Sequence, residues 1–249
     1  MDQVRLSQTL ASSISLKNPV EVSIPLARIV WILWAEPESM LSYDYREHIQ
    51  SWIYNICLGG TEIGKRLHRA RYTLYNFALL PQMPEWTPHG LKSLNGAWEL
   101  HIGSAYREVL ALVQSYAALA EGISVAGIDF ESVEVCFWPL DGRRTRFHVG
   151  PITIVDKKSK DFLRWDDSQF NEAVCAALCN RYQYFFGQDP GPFSFSFVIP
   201  PQKKLIQNYK WNYVAYSGIC QIKGPQSLRM FAQQVGLGMR PSAGFGTLF

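Results

Sequence analysis

Acidic side chains are missing from residues 190–249, so all 21 of them precede this stretch. The chain also has no Walker loop, no HExxH or GxSxG motif, and no GxGxxG fingerprint. The usual signatures of dinucleotide-binding, P-loop, zinc-protease and serine-hydrolase sites are therefore absent. Because histidines and carboxylates do not cluster at metal-ligand spacing, we expect chemistry without a metal ion or other cofactor.

Disulfide bonds and membrane-spanning segments are not indicated either. The five cysteines are an odd number, none forms a CxxC pair, and Cys175 and Cys179 lie at helical spacing in an apolar run. This pattern is typical of buried, reduced thiols inside cells. No signal-peptide core and no apolar run of membrane length occurs, so we expect a cytoplasmic protein without a membrane partner.

What the chain does contain is a large apolar fraction and an uneven distribution of positive charge. Apolar residues make up 47% of the chain and aromatic residues 14%, enough for the core of one large domain or two ordinary ones. The net charge is only +3, but residues 190–249 mix basic and aromatic side chains. This mixture suits phosphate contacts with base stacking, and equally a β-rich region with buried aromatics and solvated lysines. The six basic residues of this stretch, 190–249, are Lys203, Lys204, Lys210, Lys223, Arg229 and Arg240.

Apolar periodicity predicts a β-α-β-β-α-β order in the first half of the chain. Thr61 and Ser104 are placed to cap two of the helices. Residues 36–42 and the Pro-rich stretch 81–90 are predicted as connections. The predicted strands cover 26–34, 72–80, 96–102 and 123–138, and the predicted helices cover 43–58, 61–68 and 105–120.

The turn at residues 141–144 is the predicted boundary between an N-terminal domain, 1–140, and a C-terminal domain, 141–249. The same element order recurs after it, so the predicted fold class is α+β with two tandem ferredoxin-like domains. The predicted strands cover 147–155, 193–199, 210–222 and 247–249, and the predicted helices cover 168–186 and 226–234.

A glycine-rich loop at residues 235–246 follows the last predicted helix. It contains four glycines, with one arginine and one serine between them. Glycine allows positive φ and close approach of the backbone to another molecule, so such a loop can present amide groups to an anion. The alternative is a sharp helix-to-strand connection without a ligand.

Among the five histidines, His68 is the candidate for proton transfer. It ends a predicted helix, Arg69 and Arg71 follow it, and the preceding helix carries Tyr54. The pKa of an unperturbed histidine lies nearest to neutrality, and nearby arginines can hold a phosphate. The alternative is a surface residue at a helix C-terminus.

Three stretches resemble the CRISPR-associated endoribonucleases that cut precursor CRISPR RNA within its repeats, part of the RAMP (repeat-associated mysterious protein) superfamily. They are Ser51-Trp52-Ile53-Tyr54-Asn55-Ile56, then Gly64-Lys65-Arg66-Leu67-His68 leading into Leu74-Tyr75-Asn76-Phe77-Ala78-Leu79, and the glycine-rich loop. The resemblance implies two ferredoxin-like domains related to RNA-recognition motifs. It also implies metal-independent attack of a ribose 2′-hydroxyl on the adjacent phosphate, leaving a 2′,3′-cyclic phosphate and a 5′-hydroxyl.

In terms of this chain, the resemblance implies Tyr54 as base or positioner of the 2′-hydroxyl and His68 as general acid. Arg71 is the expected phosphate stabiliser. The family often has a lysine just before the aromatic strand, where this chain has Thr73, so Arg69 or Lys65 remain alternatives.

The expected partner is CRISPR repeat RNA, with other subunits of an effector complex as further candidates. A processing nuclease that stays on its product is one interpretation; a non-catalytic subunit that holds the 3′ hairpin, or a module for unrelated RNA, are the others. The arginines at 143, 144 and 146 are candidates for duplex phosphates or for a solvated turn. The predicted RNA-binding residues are Lys203, Lys204, Lys210, Gly236, Gly238, Arg240, Ser242, Gly244 and Gly246.

Overall fold

The computed structural model describes residues 27–119, 123–130, 132–156 and 158–249. Leu26, where the first strand was expected to begin, lies outside these ranges. In chain order the elements are β1 (Ala27–Trp34), β2 (Ser39–Ser42), α1 (Tyr45–Trp52), a π-helical turn (Ile53–Cys57), α2 (Glu62–Arg69), β3 (Tyr75–Pro81), β4 (Pro84–Trp86), β5 (Gly90–Ser93), β6 (Ala97–Ser104), α3 (Arg107–Leu119), β7 (Ile123–Val125), β8 (Ile128–Phe130), β9 (Ser132–Pro139), β10 (Arg146–Ile152), α4 (Ser168–Phe186), β11 (Ser194–Phe197), β12 (Gln202–Asn208), β13 (Trp211–Lys223), α5 (Gln226–Val235) and a 3₁₀ turn (Pro241–Ala243).

The first sheet has the strand order β3-β6-β1-β9, with every neighbour antiparallel. The first and third of its four strands in the sequence are thus the central ones. Alternate residues of these strands, including Trp31 and Phe77, are buried in one core with Ile49 of α1 and Val109 of α3. This is the first ferredoxin-like unit that the periodicity predicts.

The second sheet repeats this arrangement. Its order is β10-β13-β11, and the end of the chain adds beside β10 through a bridge between Val149 and Leu248. The Gly150 amide donates to the Thr247 carbonyl at 2.8 Å, and the Phe249 amide donates to the His148 carbonyl at 2.8 Å. The central strands are again the first and third, so the predicted α+β class with tandem ferredoxin-like folds is confirmed. The domain boundary at 140/141 stays a prediction.

Several short elements were not predicted. β2, β5 and β4 form a small three-stranded sheet, where connections were expected at 36–42 and 81–90. These strands have only three or four residues, too few for an alternating pattern, and Pro84 is tolerated because β4 is an edge strand. β12, which pairs with the first half of β13, was also missed. The helix expected over 43–58 instead ends at Trp52 and continues as a π turn.

Helix α5 and the chain after it join the two sheets. The Asn76 side-chain amide of β3 donates to the Gln234 carbonyl, and the Gln234 side chain accepts from the Ser104 amide at 2.9 Å. The Thr247 hydroxyl donates to the Phe77 carbonyl at 2.8 Å. All five residues are fully buried, so this seam fixes the second sheet against the first.

None of the helices in the described ranges combines the length and the apolarity that crossing a bilayer requires.

Candidate functional site

Tyr54 and His68 meet where the π turn faces the last turn of α2. Their ring centroids are 6.5 Å apart, and the planes are nearly perpendicular at 83°. π-helical turns recur at functional sites because the inserted residue redirects a side chain. Thr61 fixes the start of α2, since its hydroxyl accepts from the Gly64 amide at 3.0 Å. The two residues that the sequence singled out are thus neighbours in the structure.

Tyr75, the first residue of β3, completes an aromatic cluster with Tyr54. The two rings are 5.9 Å apart at 69°, and the Tyr75 hydroxyl is buried without a hydrogen-bond partner among the described residues. Burial raises the pKa of Tyr54 above its usual range, while the adjacent Tyr75 acts in the opposite direction with a smaller effect. The pKa of Tyr75 is raised further, chiefly by burial. Both phenols are therefore neutral at neutral pH.

His68 is exposed, whereas Tyr54 is half-buried behind it. The last turn of α2 carries His68 together with Arg66 and Arg69, so a bound polyanion meets this end of the helix through positive side chains. An imidazole that is open to solvent is free to reach a reacting group on a bound chain.

The three candidate cations lie in different surroundings. Arg71 is exposed, and its guanidinium stands over the Tyr72 ring at 5.4 Å. Lys65 is engaged with Glu62, whose Oε1 is 2.7 Å from the Lys65 Nζ. Arg69 borders a small pocket together with Lys65. Of the three, Arg71 has its charge unopposed by a carboxylate contact among the described residues.

The four glycines of the loop at 235–246 are buried against the protein itself. Gly244 has φ 79°, and a Cβ there would lie 2.9 Å from Cε2 of Phe77 on β3. Gly246 has φ 67°, and a Cβ would lie 2.0 Å from the Leu237 carbonyl oxygen. These glycines are required by the close approach of the loop to β3 and to itself. Contact between RNA and the backbone stays a prediction for Gly236, Gly238, Gly244 and Gly246. Because these glycines are buried, the tip of the loop is its accessible part.

The tip of this loop extends from Met239 to Ser242. Arg240 is exposed, has φ 56°, and places its guanidinium over the Tyr213 ring at 5.3 Å. Arg240 and the half-buried Ser242 border the same large cleft as Arg71. The structure therefore brings a predicted phosphate stabiliser, Arg71, and three predicted RNA-binding residues, Gly238, Arg240 and Ser242, to one cavity.

The three predicted RNA-binding lysines belong to the β12–β13 hairpin. Lys203 and Lys204 point to opposite faces of β12, and Lys210 lies in the exposed turn. The Lys204 Nζ stands 4.9 Å over the ring of Trp86, which is 65% exposed. The Tyr209 amide of the turn donates to Oε2 of Glu47 on α1 at 2.6 Å. The hairpin thus reaches the helix that leads to Tyr54.

Two other clusters have less defined geometry. Arg143 and Arg144 lie in the turn before β10 and Arg146 is the first residue of that strand; the Arg144 Nε donates to the Arg146 carbonyl at 2.7 Å. Asp44, Glu47 and His48 have potential ligand atoms within 4.8 Å of one another, a grouping that the sequence did not suggest. Since Glu47 already accepts from Tyr209, the arrangement is explained by contacts within the chain.

Tyr75 and Trp86 were missed as site residues. Tyr75 lies inside the aromatic stretch that follows His68, but the sequence does not reveal that its ring faces Tyr54. Trp86 lies in a Pro-rich segment and has no periodic neighbour that would mark it as surface-exposed. Only the packing of the hairpin against the small sheet places it beside a lysine.

Comparison with known proteins supports the family resemblance. Residues 144–248 match the family model for the C-terminal region of the CRISPR-associated protein Cas6. No curated protein sequence matches the chain.

Solved structures match most of the chain in fold. A CRISPR-associated Cas6 protein has a TM-score of 0.75 at 19% identity, covering 90% of this chain and 98% of its own. A RAMP protein that binds different RNA substrates has 0.76 at 16%, covering 89% and 98%. A Cas6-related protein from Pyrococcus furiosus has 0.74 at 16%, covering 90% and 98%. The resemblance stated from the sequence is confirmed, by the family model over the second sheet and by the fold over both.

Proposed function

We propose that this chain is an endoribonuclease that cleaves precursor CRISPR RNA within its repeats. The observation that carries the proposal is the meeting of Tyr54 and His68 at 6.5 Å between ring centroids, on a fold shared with Cas6 proteins. Packing does not account for His68, because this side chain is exposed, whereas half-buried Tyr54 packs against the first core beside it.

The proposed reaction is a transesterification that proceeds without a metal ion. The ribose 2′-oxygen forms a bond to the adjacent phosphorus while the bond from phosphorus to the 5′-oxygen breaks. A 2′,3′-cyclic phosphate and a 5′-hydroxyl result. The 2′-hydroxyl loses its proton to a solvent water or hydroxide, the leaving 5′-oxygen gains a proton from an acidic side chain, and extra negative charge develops on the phosphate oxygens.

Tyr54 positions the 2′-hydroxyl in this scheme. Because burial raises its pKa, its hydroxyl is protonated at neutral pH, and it acts as a hydrogen-bonding group and not as a phenolate base. His68 donates the proton to the leaving 5′-oxygen, because its imidazole is exposed on the last turn of α2 and can reach a bound RNA. Arg71 stabilises the phosphate, because it follows His68 by three residues and has no carboxylate partner among the described residues.

RNA is retained, in this proposal, by the loop tip and the β12–β13 hairpin. Arg240 and Ser242 flank the cleft that Arg71 borders, and Lys203, Lys204 and Lys210 add charge along the hairpin. Retention after cleavage would allow the product to be passed to other subunits of an effector complex.

The test is incubation of repeat RNA with the protein in EDTA, followed by analysis of the product ends. We expect cleavage to persist and to leave a cyclic phosphate, and we expect His68→Ala to bind RNA but cut it at least about 100-fold more slowly. His89→Ala, which replaces an exposed histidine between β4 and β5, is the matched control. Cleavage that requires a divalent cation would contradict the mechanism, and tight binding without any cleavage would favour the non-catalytic subunit.

A further inference from the structure

A cleft of about 880 Å³ lies between α4, the loop after β10 and the tip of the glycine-rich loop. Arg71 and Arg240 stand at its border, but α4, which the cleavage chemistry does not use, contributes more of the lining residues than any other segment. Its volume falls in the range of about 300–1,000 Å³ that is typical of small-molecule sites. The cleft therefore has room for a ligand group beyond the scissile phosphate.

A buried arginine marks the inner end of this cleft. Arg181 is only 3% exposed, and its Nη2 donates to the Gly236 carbonyl at 3.1 Å. Its Nε has no hydrogen-bond partner among the described residues, although Arg181 lines the cleft. A buried cationic donor without a partner is costly, so an anion that enters the cleft would satisfy it.

Positive side chains outnumber negative ones on the wall of the cleft, which favours an anionic ligand group. Arg71, Arg240 and Lys158 join Arg181 on its wall. Two carboxylates also line it. Asp156 is turned towards its own loop, because its Oδ1 accepts from the Lys158 amide at 2.8 Å.

The second carboxylate, Glu172, belongs to the opposite end of the α4 wall from Arg181. The two residues are nine positions apart, which corresponds to about 14 Å of helix. Glu172 and Arg181 are therefore well separated along α4.

The α4 wall between Glu172 and Arg181 is mainly apolar. Ala173, Ala176 and Ala177 present small side chains from α4, and Leu163 lies on the same wall. A nucleobase can lie against such a surface, with its amino or hydroxyl groups near Glu172 and its phosphate near Arg181.

We propose that the cleft binds one unpaired nucleotide of the RNA at a position away from the scissile bond. The proposal rests on the RNA-processing function above and adds to it a subsite that selects a single-stranded segment. The phosphate of this nucleotide would lie near Arg181 and its base against the alanine face of α4.

The test is a binding scan with uncleavable RNA. The RNA that the protein cleaves is prepared with a 2′-deoxy group at the scissile nucleotide and with one abasic position at a time. For the native protein we expect one unpaired position at which base removal weakens binding about tenfold. Ala176→Trp, which fills the cleft from an exposed position, should weaken binding of the intact RNA about tenfold and abolish the dependence on that base.

Two further variants serve as controls. Gln183→Trp lies on the exposed part of α4 outside the cleft and should bind as the native protein does. Ala177→Met reduces the cleft with a smaller side chain, and thermal melting of each variant establishes that it is folded. Native affinity together with full sensitivity to the abasic position in both cleft variants would overturn the proposal.

The remaining outcomes separate the sources of the ligand. If free nucleoside monophosphates bind the native protein but not Ala176→Trp, and no RNA position matters, the cleft serves a free nucleotide and the proposal is wrong. If the native protein neither binds nor cuts repeat RNA, the proposed function itself fails. Cleavage by all variants with unchanged binding would leave that function standing and remove the subsite alone.

Discussion

The role of Tyr54 can be decided by removing its hydroxyl and measuring cleavage across a range of pH. Tyr54→Phe keeps the ring that contacts His68 and Tyr75 but loses the hydrogen bond proposed for the 2′-hydroxyl. Tyr75→Phe is the matched control, because it removes a buried hydroxyl from the same aromatic cluster. Both changes preserve the packing volume, so we expect both variants to fold.

The expected magnitude follows from the hydrogen bond that is lost. A hydrogen bond to a group that develops charge contributes about 1.5–3 kcal/mol. Each ~1.4 kcal/mol changes a rate constant tenfold. Tyr54→Phe should therefore slow single-turnover cleavage about 10- to 150-fold at saturating protein. RNA affinity should change little, and Tyr75→Phe should cleave at nearly the native rate.

The pH dependence separates a positioning hydroxyl from a base. Burial raises the pKa of Tyr54 above that of an ordinary tyrosine, so its hydroxyl stays protonated at neutral and mildly alkaline pH. If the neutral hydroxyl acts, the ratio of the native rate to the Tyr54→Phe rate stays constant from about pH 6 to 9. The ratio cancels any pH dependence that the two proteins share, including reaction with hydroxide. A ratio that rises about tenfold per pH unit would show a phenolate base and refute the assignment.

Three further predictions concern stability and RNA binding. Gly244→Ala should lower the free energy of unfolding by more than the ~1–2 kcal/mol that a left-handed backbone costs a non-glycine residue, because the new Cβ would also contact Phe77. The control is Gly60→Ala, where φ is 73° and the space around it is open, so chemical denaturation should show the backbone cost alone. Equal losses in the two variants would contradict the contact with Phe77. Burial lowers the pKa of His101 although it contacts Glu99, so protonation favours the unfolded chain. The melting temperature should therefore fall as pH drops below about 6.5, and in His101→Gln this dependence of the melting temperature on pH should disappear. The lowered pKa of Glu99 affects stability only at pH values below about 4.5. Replacing the three hairpin lysines at 203, 204 and 210 by alanine should reduce the slope of log affinity against log salt by about 2–3, and an unchanged slope would exclude them from phosphate contact.

The sequence predicted the long elements well because each of them buries one face. Strands such as β1 and β6 alternate or form apolar runs, and α3 has a continuous apolar stripe, so their order reveals two ferredoxin-like units. The pairing of Tyr54 with His68 followed from the family resemblance and was not deducible from spacing. Strands of three or four residues, such as β4, have no period to detect, and their existence depends on tertiary contacts.

The cleft beside α4 shows a second reason why part of the site cannot be predicted from the sequence. Arg181 lies in a helix whose sequence is otherwise rich in alanine and aromatic residues, and its partner, the Gly236 carbonyl, is 55 residues away in the chain. Whether such an arginine faces solvent or is buried depends on how α4 packs against the glycine-rich loop. Local patterns do not contain that information.

The glycine-rich loop shows why local composition alone leaves function ambiguous. A glycine is required wherever a backbone approaches something closely, and the sequence cannot tell whether that neighbour is a ligand or the protein. Here Gly244 approaches Phe77 and Gly246 approaches Leu237, so these glycines bind the last part of the chain to β3 and close the seam between the sheets. That close packing holds Arg240 in a left-handed conformation at the exposed tip, beside the cleft. The loop is thus compatible with both interpretations at once: its glycines maintain the fold, and through that packing they position the side chains that we propose contact RNA.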